Sequence, residues 1–167
     1  MSVDDDRVFE ALFDRDFDAV WRYIRRRIGA DLADELAAET FARAYEGWSR
    51  FDPARGDPRA WLFGIATNLL RRHARDERRR FATLAHELAV DDYAGPAFEV
   101  HALVDLFSRL SLADREVLFL FCWADLTYEQ VAAALEVPVG TVRSRLNRAR
   151  ASARRLWTLC ESEAADG

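Results

Sequence analysis

The chain has 167 residues and a formal net charge of −5, and its length allows one ordinary domain or two small ones. Hydrophobic residues make up 50% of the chain and aromatic residues 12%, a content that excludes a disordered chain. Only 7 glycines and 4 prolines argue against a turn-rich β-sandwich, and two distant cysteines exclude a disulfide framework or a cysteine-based zinc site. The amino terminus shows no signal-peptide pattern and the longest dense apolar run, residues 117–123, is too short to span a bilayer, so we expect a cytoplasmic protein without membrane contact.

The first half of the chain predicts three helices. Apolar residues at three- and four-residue steps predict a helix that ends at Gly29 and a second from near Asp31 to about Arg50. A turn-rich loop follows, and Asp57 with Pro58 is a typical start for the third helix. The predicted inward residues are Val8, Leu12, Phe13, Phe17, Val20, Trp21, Ile24 and Ile28, then Leu32, Leu36, Phe41, Tyr45 and Trp48, then Trp61, Leu62, Ile65, Leu69 and His73.

The second half predicts a linker and about four more helices. Residues 81–100 lose the helical periodicity, and Val100 to Leu110 form one apolar helix face. Ser111 with Asp114, and Thr127 with Gln130, are capping-box patterns that open two further helices. The predicted fold is all-α, with two small helical domains: a domain over 1–80, a linker over 81–100, a helix-turn-helix domain over 101–160 and an acidic tail over 161–167.

Charge is unevenly distributed along this acidic chain. All 24 basic residues are arginine, whose guanidinium binds phosphate or guanine through two parallel hydrogen bonds. Residues 141–160 carry six arginines and no acid, and residues 71–80 carry six more arginines. Basic clusters are typical of nucleic-acid binding, although a solvated helix face explains residues 71–80 equally well.

The last two helices predict a DNA-binding helix-turn-helix. A short helix rich in small residues, including Ala132 at the close approach, is followed by the turn EVPVG and a basic helix. Arginine can bind guanine, asparagine can bind adenine, and serine or threonine can contact bases or phosphates. An ordinary arginine-rich surface helix is the alternative. The predicted seam is Val131, Leu135, Val137, Val142 and Leu146, and the opposite, DNA-reading face is Thr141, Arg143, Ser144, Arg145, Asn147 and Arg148.

From about Phe9 to Trp157, the sequence resembles bacterial sigma factors of the extracytoplasmic-function (ECF) type. Their promoter −35 reading helix is similar to the run VPVGTVRSRLNRAR. The segment of these proteins that binds the polymerase clamp is similar to DELAAETFARAYEGWSRF, and the segment that recognises and opens the −10 element is similar to RAWLFGIATNLLRRHARDERRR. The resemblance implies a non-enzymatic, cofactor-free specificity subunit of RNA polymerase. Its implied partners are promoter DNA and the clamp and flap regions of the polymerase core; the sequence identifies no anti-sigma factor, target promoter or inducing signal.

The resemblance also implies site residues in the first half. Polymerase contacts are expected at Asp34, Glu35, Glu39, Phe41 and Arg43, and −10 contacts at Asn68, Arg71, Arg72, Arg75 and Trp61. For Phe41 and for Tyr45, which lies near it, a place in the hydrophobic core is as well supported as a contact with the polymerase. For Trp61, a place in the core is favoured over a contact with DNA. The loop over residues 51–59 is where the resemblance places capture of an unstacked base, for which aromatic and guanidinium planes are suited.

Three positions depart from the usual pattern of this family. Arg72 stands where an aspartate is common, which predicts an altered −10 preference. Ala38 stands where a glutamine is common, and Glu136 stands at a turn position that usually carries glycine. Glu136 must therefore tolerate that backbone geometry, or the turn must adjust.

Two other classes of function are alternatives to a sigma factor. A helix-turn-helix regulator that acts without polymerase would need a ligand or phosphoacceptor domain, and residues 1–80 show no pattern of either. A nuclease using His73, Asp76 and Glu77 would need a metal-ligand spacing that the sequence lacks.

The length of the proposed linker fits the spacing of promoter elements. The two elements lie about two DNA turns, or ~70 Å, apart, and a fully extended linker of 20 residues reaches roughly 66–72 Å. The polymerase would therefore supply the rigid frame.

Overall fold

The computed structural model describes residues 3–54, 56–84 and 110–165, with side chains at 5–54, 56–77, 110–152 and 154. All regular structure in these residues is helical, which confirms the predicted fold class. The helices are α1 (Val3–Ile28), α2 (Ala33–Trp48), α3 (Pro58–Leu84), α4 (Leu112–Cys122), α5 (Tyr128–Leu135) and α6 (Val139–Ala165).

Helices α1, α2 and α3 pack on one another and form the amino-terminal unit. Local signals set their ends. Gly29 has a φ of 88°, a left-handed conformation that glycine adopts without steric cost and that ends α1. The Asp57 carboxylate accepts hydrogen bonds from the backbone N–H groups of Arg59 (2.7 Å) and Ala60 (3.3 Å), and Pro58 is the first residue of α3. The predicted cap of α3 is therefore confirmed.

The predicted inward faces are confirmed in part. Val8, Phe13 and Tyr45 were expected inside but are 56%, 40% and 46% exposed. The rings of Phe13 and Tyr45 lie at the edge of the seam between α1 and α2, where Phe13 packs on Phe41 and Tyr45 packs on Phe9 while the other side of each ring faces solvent. Trp61, Ile65 and His73 of α3 are half-buried. The buried members of the predicted faces are Leu12, Val20, Ile24, Leu36, Phe41, Trp48, Leu62 and Leu69.

Helices α4, α5 and α6 form the carboxy-terminal unit, and side-chain caps start the first two of them. The Ser111 hydroxyl accepts a hydrogen bond from the backbone N–H of Asp114 at 3.1 Å. Thr127 and Gln130 exchange the two hydrogen bonds of a capping box, 2.9 and 3.2 Å long. Both residues cap their helices as predicted, but Ser111 and Asp114 do not form the reciprocal bond of a capping box, since the Asp114 carboxylate accepts from the Ser111 hydroxyl instead.

The predicted domain boundaries stay a prediction. Residues 100–109 of the proposed helix and most of the linker over residues 81–100 lie outside the described residues. Helix α3 continues to Leu84, four residues into the proposed linker, and α6 continues to Ala165, into the proposed acidic tail.

The two units pack directly against each other, which the sequence did not predict. Helix α3 of the amino-terminal unit lies against α5 of the carboxy-terminal unit, and buried residues of both units form one continuous apolar core. A Cβ atom on Gly64 of α3 would lie 3.0 Å from the carbonyl oxygen of Ala134 in α5. The absence of a side chain at Gly64 therefore permits this close approach of the two helices.

Candidate nucleic-acid interface

The turn between α5 and α6 holds the helix-turn-helix at a fixed angle. Glu136, the residue after α5, has φ 54° and ψ 43°. This left-handed conformation lets the backbone N–H of Val137 donate to the carbonyl oxygen of Ala132 at 3.0 Å. The backbone N–H of Glu136 donates to the carbonyl oxygen of Ala133 at 3.3 Å. The expectation that Glu136 tolerates a geometry favoured by glycine is confirmed.

Glycine at position 136 should therefore stabilise the protein. A non-glycine residue in the left-handed helical region carries a steric cost of about 1–2 kcal/mol, part of which is offset by the greater unfolded-state freedom of glycine. We expect Glu136→Gly to raise the free energy of unfolding by about 0.5–1 kcal/mol. Urea unfolding followed by circular dichroism measures this change. The control is Glu136→Ala, which removes the same charge but keeps the strain; an equal gain in both variants would contradict the explanation.

The basic helix α6 presents one polar face and one buried seam. Val142, Leu146 and Ala149 are 0–1% exposed and fix the rotation of the helix on α4 and α5. The predicted seam is confirmed, except that Val137 in the turn is only half-buried. On the opposite face, the predicted DNA-reading residues Arg143, Ser144, Asn147 and Arg148 are exposed, and Thr141 and Arg145 are half-buried.

One arginine of this face is held by a carboxylate of α4. Arg148 donates to Asp114 at 2.7 Å, and Ser111 donates to the same carboxyl group at 2.8 Å. Burial alone would raise the pKa of Asp114, but these hydrogen bonds outweigh it and hold the pKa below its ordinary value. The stabilisation by this pair is therefore present at neutral pH and is lost as the pH falls through the lowered pKa. The pair fixes the position of Arg148 on the helix surface.

The predicted −10 residues lie on two adjoining stripes of α3. Asn68, Arg72 and Arg75 are exposed, and Arg72 lies 3.9 Å from Asp76 in a solvated pair. Arg71 points toward the carboxy-terminal unit, where its Nε donates to Glu116 at 2.6 Å and its Nη2 donates to the second carboxylate oxygen. This hydrogen bonding raises the pKa of Arg71 above its ordinary value. Arg71 is therefore occupied in this structure.

Trp61 lies two helical turns before Asn68, in an aromatic cluster. Its ring stacks on Phe51 at a centroid distance of 4.8 Å and packs at 6.0 Å from Trp48. Trp61 is half-buried, so it belongs both to the core and to the surface. A cavity of about 430 Å³ beside the cluster is lined by Gly47, Arg50, Phe51, Asp52, Gly56 and Trp61.

Four of the five predicted polymerase contacts form a polar face on α2. Glu35 is exposed, Asp34 accepts a hydrogen bond from the Trp21 indole at 2.7 Å, and Glu39 pairs with Arg43 at 2.6 Å. Phe41 is not on this face. It is 4% exposed, so its predicted role as a surface contact is wrong and its alternative as a core residue is right.

The residues that join the two units are not among those predicted from the sequence. Glu116 was not singled out, although it is 6% exposed and holds Arg71. Gly64 was not singled out either, and the available signal was a glycine inside a helical pattern, which often marks a close packing contact. Gln130 was recognised as a cap, but its side-chain amide also donates to Asp57 at 2.7 Å.

The described residues hold no group of three or more His, Cys, Asp or Glu side chains arranged for a metal ion. In the same part of the chain, no helix is both long and apolar enough to cross a membrane.

Known families and relatives match both units. Sigma-70 region 2 matches residues 12–80, and sigma-70 region 4 matches residues 101–152. The ECF RNA polymerase sigma factor SigC of Mycobacterium tuberculosis is 34% identical over 149 residues, which cover 86% of this chain and 80% of the relative. The ECF RNA polymerase sigma factor EcfG of Rhodopseudomonas palustris is 36% identical over 125 residues, which cover 72% of this chain and 68% of the relative.

Solved structures share the fold. CnrH, in complex with the cytosolic domain of CnrY, has a TM-score of 0.67 and 29% identity, with coverage of 92% of this chain and 90% of that chain. The sigma factor RpoE of Bartonella quintana, in complex with the anti-sigma factor NepR, has a TM-score of 0.69 and 23% identity. The match covers 91% of this chain and 98% of that chain. With both regions matched in order and a relative aligned over most of its length, this chain belongs to the ECF family of RNA polymerase sigma factors.

Proposed function

We propose that the protein directs core RNA polymerase to specific promoters in the cytoplasm and assists promoter opening, without a catalytic step of its own. The observation that carries this proposal is a helix-turn-helix with an exposed polar face on α6, joined in one chain to a second matched sigma region over residues 12–80. A helix-turn-helix regulator acting alone would not need that second region. The proposed partners are the clamp and flap regions of the core, promoter DNA, and an anti-sigma factor of the kind that NepR is for RpoE.

The −35 element is proposed to meet the first turns of α6. A recognition helix presents its amino-terminal residues to base edges in the major groove. The exposed side chains there include Arg143, suited to guanine, and Asn147, suited to adenine. The full proposed −35 set is Thr141, Arg143, Ser144, Arg145, Asn147 and Arg148.

The −10 element is proposed to meet α3 and the loop before it. The cavity beside Trp61 offers the ring of Phe51 and the guanidinium of Arg50, planar groups on which a single-stranded base can stack. Asn68, Arg72 and Arg75 follow along the same helix and are exposed to bases and phosphates. Arg71 completes this set once it is released from Glu116.

The polymerase clamp is proposed to bind the polar face of α2, through Asp34, Glu35, Glu39 and Arg43. Glu39→Ala should weaken core binding about ten-fold, the effect of losing one important interface side chain. It should change the free energy of unfolding by less than about 0.5 kcal/mol, because an exposed pair four residues apart contributes little to stability. Competition for core enzyme against the wild type measures the affinity.

Glu10→Ala on α1 is the matched control, since Glu10 is also exposed but lies outside the proposed contact face. Equal competition by the Glu39→Ala and Glu10→Ala variants would remove Glu39 from the polymerase interface.

Run-off transcription with core polymerase on a promoter library tests the proposed function as a whole. We expect defined transcripts from promoters with two spaced elements, and none with core enzyme alone. Failure to bind core polymerase, combined with binding to isolated duplex DNA, would favour the regulator that acts without polymerase.

A further inference from the structure

A small cavity lies where α1, the start of α3 and the turn after α4 meet. Its volume is about 270 Å³, close to the lower end of the range for small-molecule sites, roughly 300 Å³. The charged and aromatic side chains that line it are Arg22, Arg26, Arg59, Trp123 and Asp125. Three guanidinium groups therefore share the cavity with one carboxylate, in a chain whose formal net charge is −5.

Arg59 is held in the wall of this cavity from two sides. Its Nη1 donates to the carboxylate of Asp16 at 3.0 Å, and its Nη2 donates to the backbone carbonyl oxygen of Ala124 at 2.9 Å. Asp16 is fully buried and also accepts from Arg15, so its charge is divided between two arginines. Because a guanidinium has five N–H donors, Arg59 keeps donors for a ligand, and its position is set before the ligand arrives.

The other two arginines lie without a carboxylate partner on α1. Arg22 and Arg26 are four residues apart, so they are neighbours on one exposed face of the helix. The Nε of Arg22 donates to the backbone carbonyl oxygen of Asp18 at 3.1 Å. Within the part of the chain that the structure describes, neither guanidinium forms an ion pair. Like charges at this spacing repel, and a bound anion would remove that repulsion.

Trp123 gives the cavity an aromatic wall. Its ring stacks on Phe119 at a centroid distance of 4.2 Å and an interplanar angle of 16°, which fixes its plane. The guanidinium of Arg26 lies 5.9 Å from the centroid of the Trp123 ring. Indole and guanidinium planes are the groups on which a planar heterocycle stacks.

We propose that this cavity binds a small molecule that carries a phosphate monoester, with its phosphate held by the three arginines and a planar heterocycle against Trp123. Guanidinium groups bind phosphate through parallel hydrogen bonds. The charge of a phosphate monoester at neutral pH, about −1.5 to −2, is close to the excess of arginines over carboxylates in the lining. The cavity is too small for a polymer, and the site goes beyond promoter recognition because it is complete in the chain alone.

Calorimetric titration of the full chain with adenosine 5′-monophosphate and with inorganic phosphate, at one ionic strength set by chloride, tests the proposal. The nucleotide should bind at least about five-fold more tightly than inorganic phosphate, the lower end of what one stacked base contributes. Trp123→Leu should abolish that difference. Equal affinity of the wild type for both probes would assign the site to free phosphate and overturn the stacking of a heterocycle.

Arg26→Gln tests the phosphate contact and has a matched control one residue away. Loss of a charged hydrogen-bond donor should raise the dissociation constant of the nucleotide at least about ten-fold. Arg25→Gln removes the same charge from the same helix, but the Arg25 guanidinium lies over Trp21, at 5.0 Å from its ring centroid and outside the cavity. Arg25→Gln should therefore bind as the wild type does. Circular dichroism should show equal helix content in both variants.

Each remaining outcome would overturn the site. Equal losses in Arg25→Gln and Arg26→Gln would show a general attraction of anions to α1. Absence of binding of both probes at millimolar concentration would remove the cavity as a ligand site. If only duplex DNA bound, and Arg26→Gln weakened it, the arginines would contact the DNA backbone instead. Since these titrations contain no polymerase, their result does not depend on the proposed sigma function.

Discussion

Phe41→Ala is expected to lower the free energy of unfolding by about 3–5 kcal/mol, the usual cost of truncating a buried phenylalanine. The ring is 4% exposed and packs edge-on against Phe13 at 4.9 Å and beside Phe17 at 5.6 Å. Truncation would leave a cavity between α1 and α2 that the surrounding helices fill only in part. Urea unfolding followed by circular dichroism measures the change.

Phe41→Leu keeps most of the buried volume and should cost less than about 1.5 kcal/mol. A loss below about 1 kcal/mol in Phe41→Ala, the range of surface substitutions, would contradict the core position. The expected loss also bears on polymerase binding. A weak-binding Phe41→Ala variant would report a damaged amino-terminal unit rather than a lost contact, so Glu39 is the residue with which to test the α2 interface.

The end of α1 and the starts of α3, α4 and α5 could be predicted from the sequence because they depend on neighbouring residues alone. Gly29 ends α1, and Asp57, Ser111 and Thr127 start α3, α4 and α5 with bonds that span two or three residues. Glu136 belongs with them, since the pattern of a helix-turn-helix fixes the conformation that its backbone must adopt. The seam of α6 was likewise readable from its period.

Contacts between distant helices could not be read in this way. The pattern of α2 identifies Phe41 as apolar, but its burial depends on where Phe13 and Phe17 of α1 come to lie. Arg71 and Glu116 are 45 residues apart in the chain, and neither has a sequence neighbour that announces the other. The resemblance of this segment to a −10 reading helix therefore predicts a DNA contact for Arg71, whereas in the structure a carboxylate of the second unit binds it.

Arginine substitutions on α6 should produce two distinct losses of promoter binding. Arg143→Ala and Arg145→Ala should each cost about 1–3 kcal/mol and relax the preference at one −35 position, as expected for side chains that read bases. Arg148→Ala should weaken all promoters about equally and reduce the slope of log affinity against log salt by roughly one unit, as expected for one lost phosphate contact. Holoenzyme binding to −35 variants over a salt series measures both effects.

The geometry of α6 supports this division. The helix has 27 residues and is about 40 Å long, whereas the major groove is only about 12 Å wide, so bases are within reach of its first turns only. Arg148 is tied to Asp114 at 2.7 Å, which positions a charge but leaves its guanidinium less free to seek a base edge. Arg154 lies nearly two turns further along, and Arg154→Ala is therefore the control that should change promoter binding little. If Arg143→Ala, Arg145→Ala and Arg154→Ala all weakened binding equally and without altered base preference, α6 would be a non-specific basic surface, and its proposed orientation in the groove would be wrong.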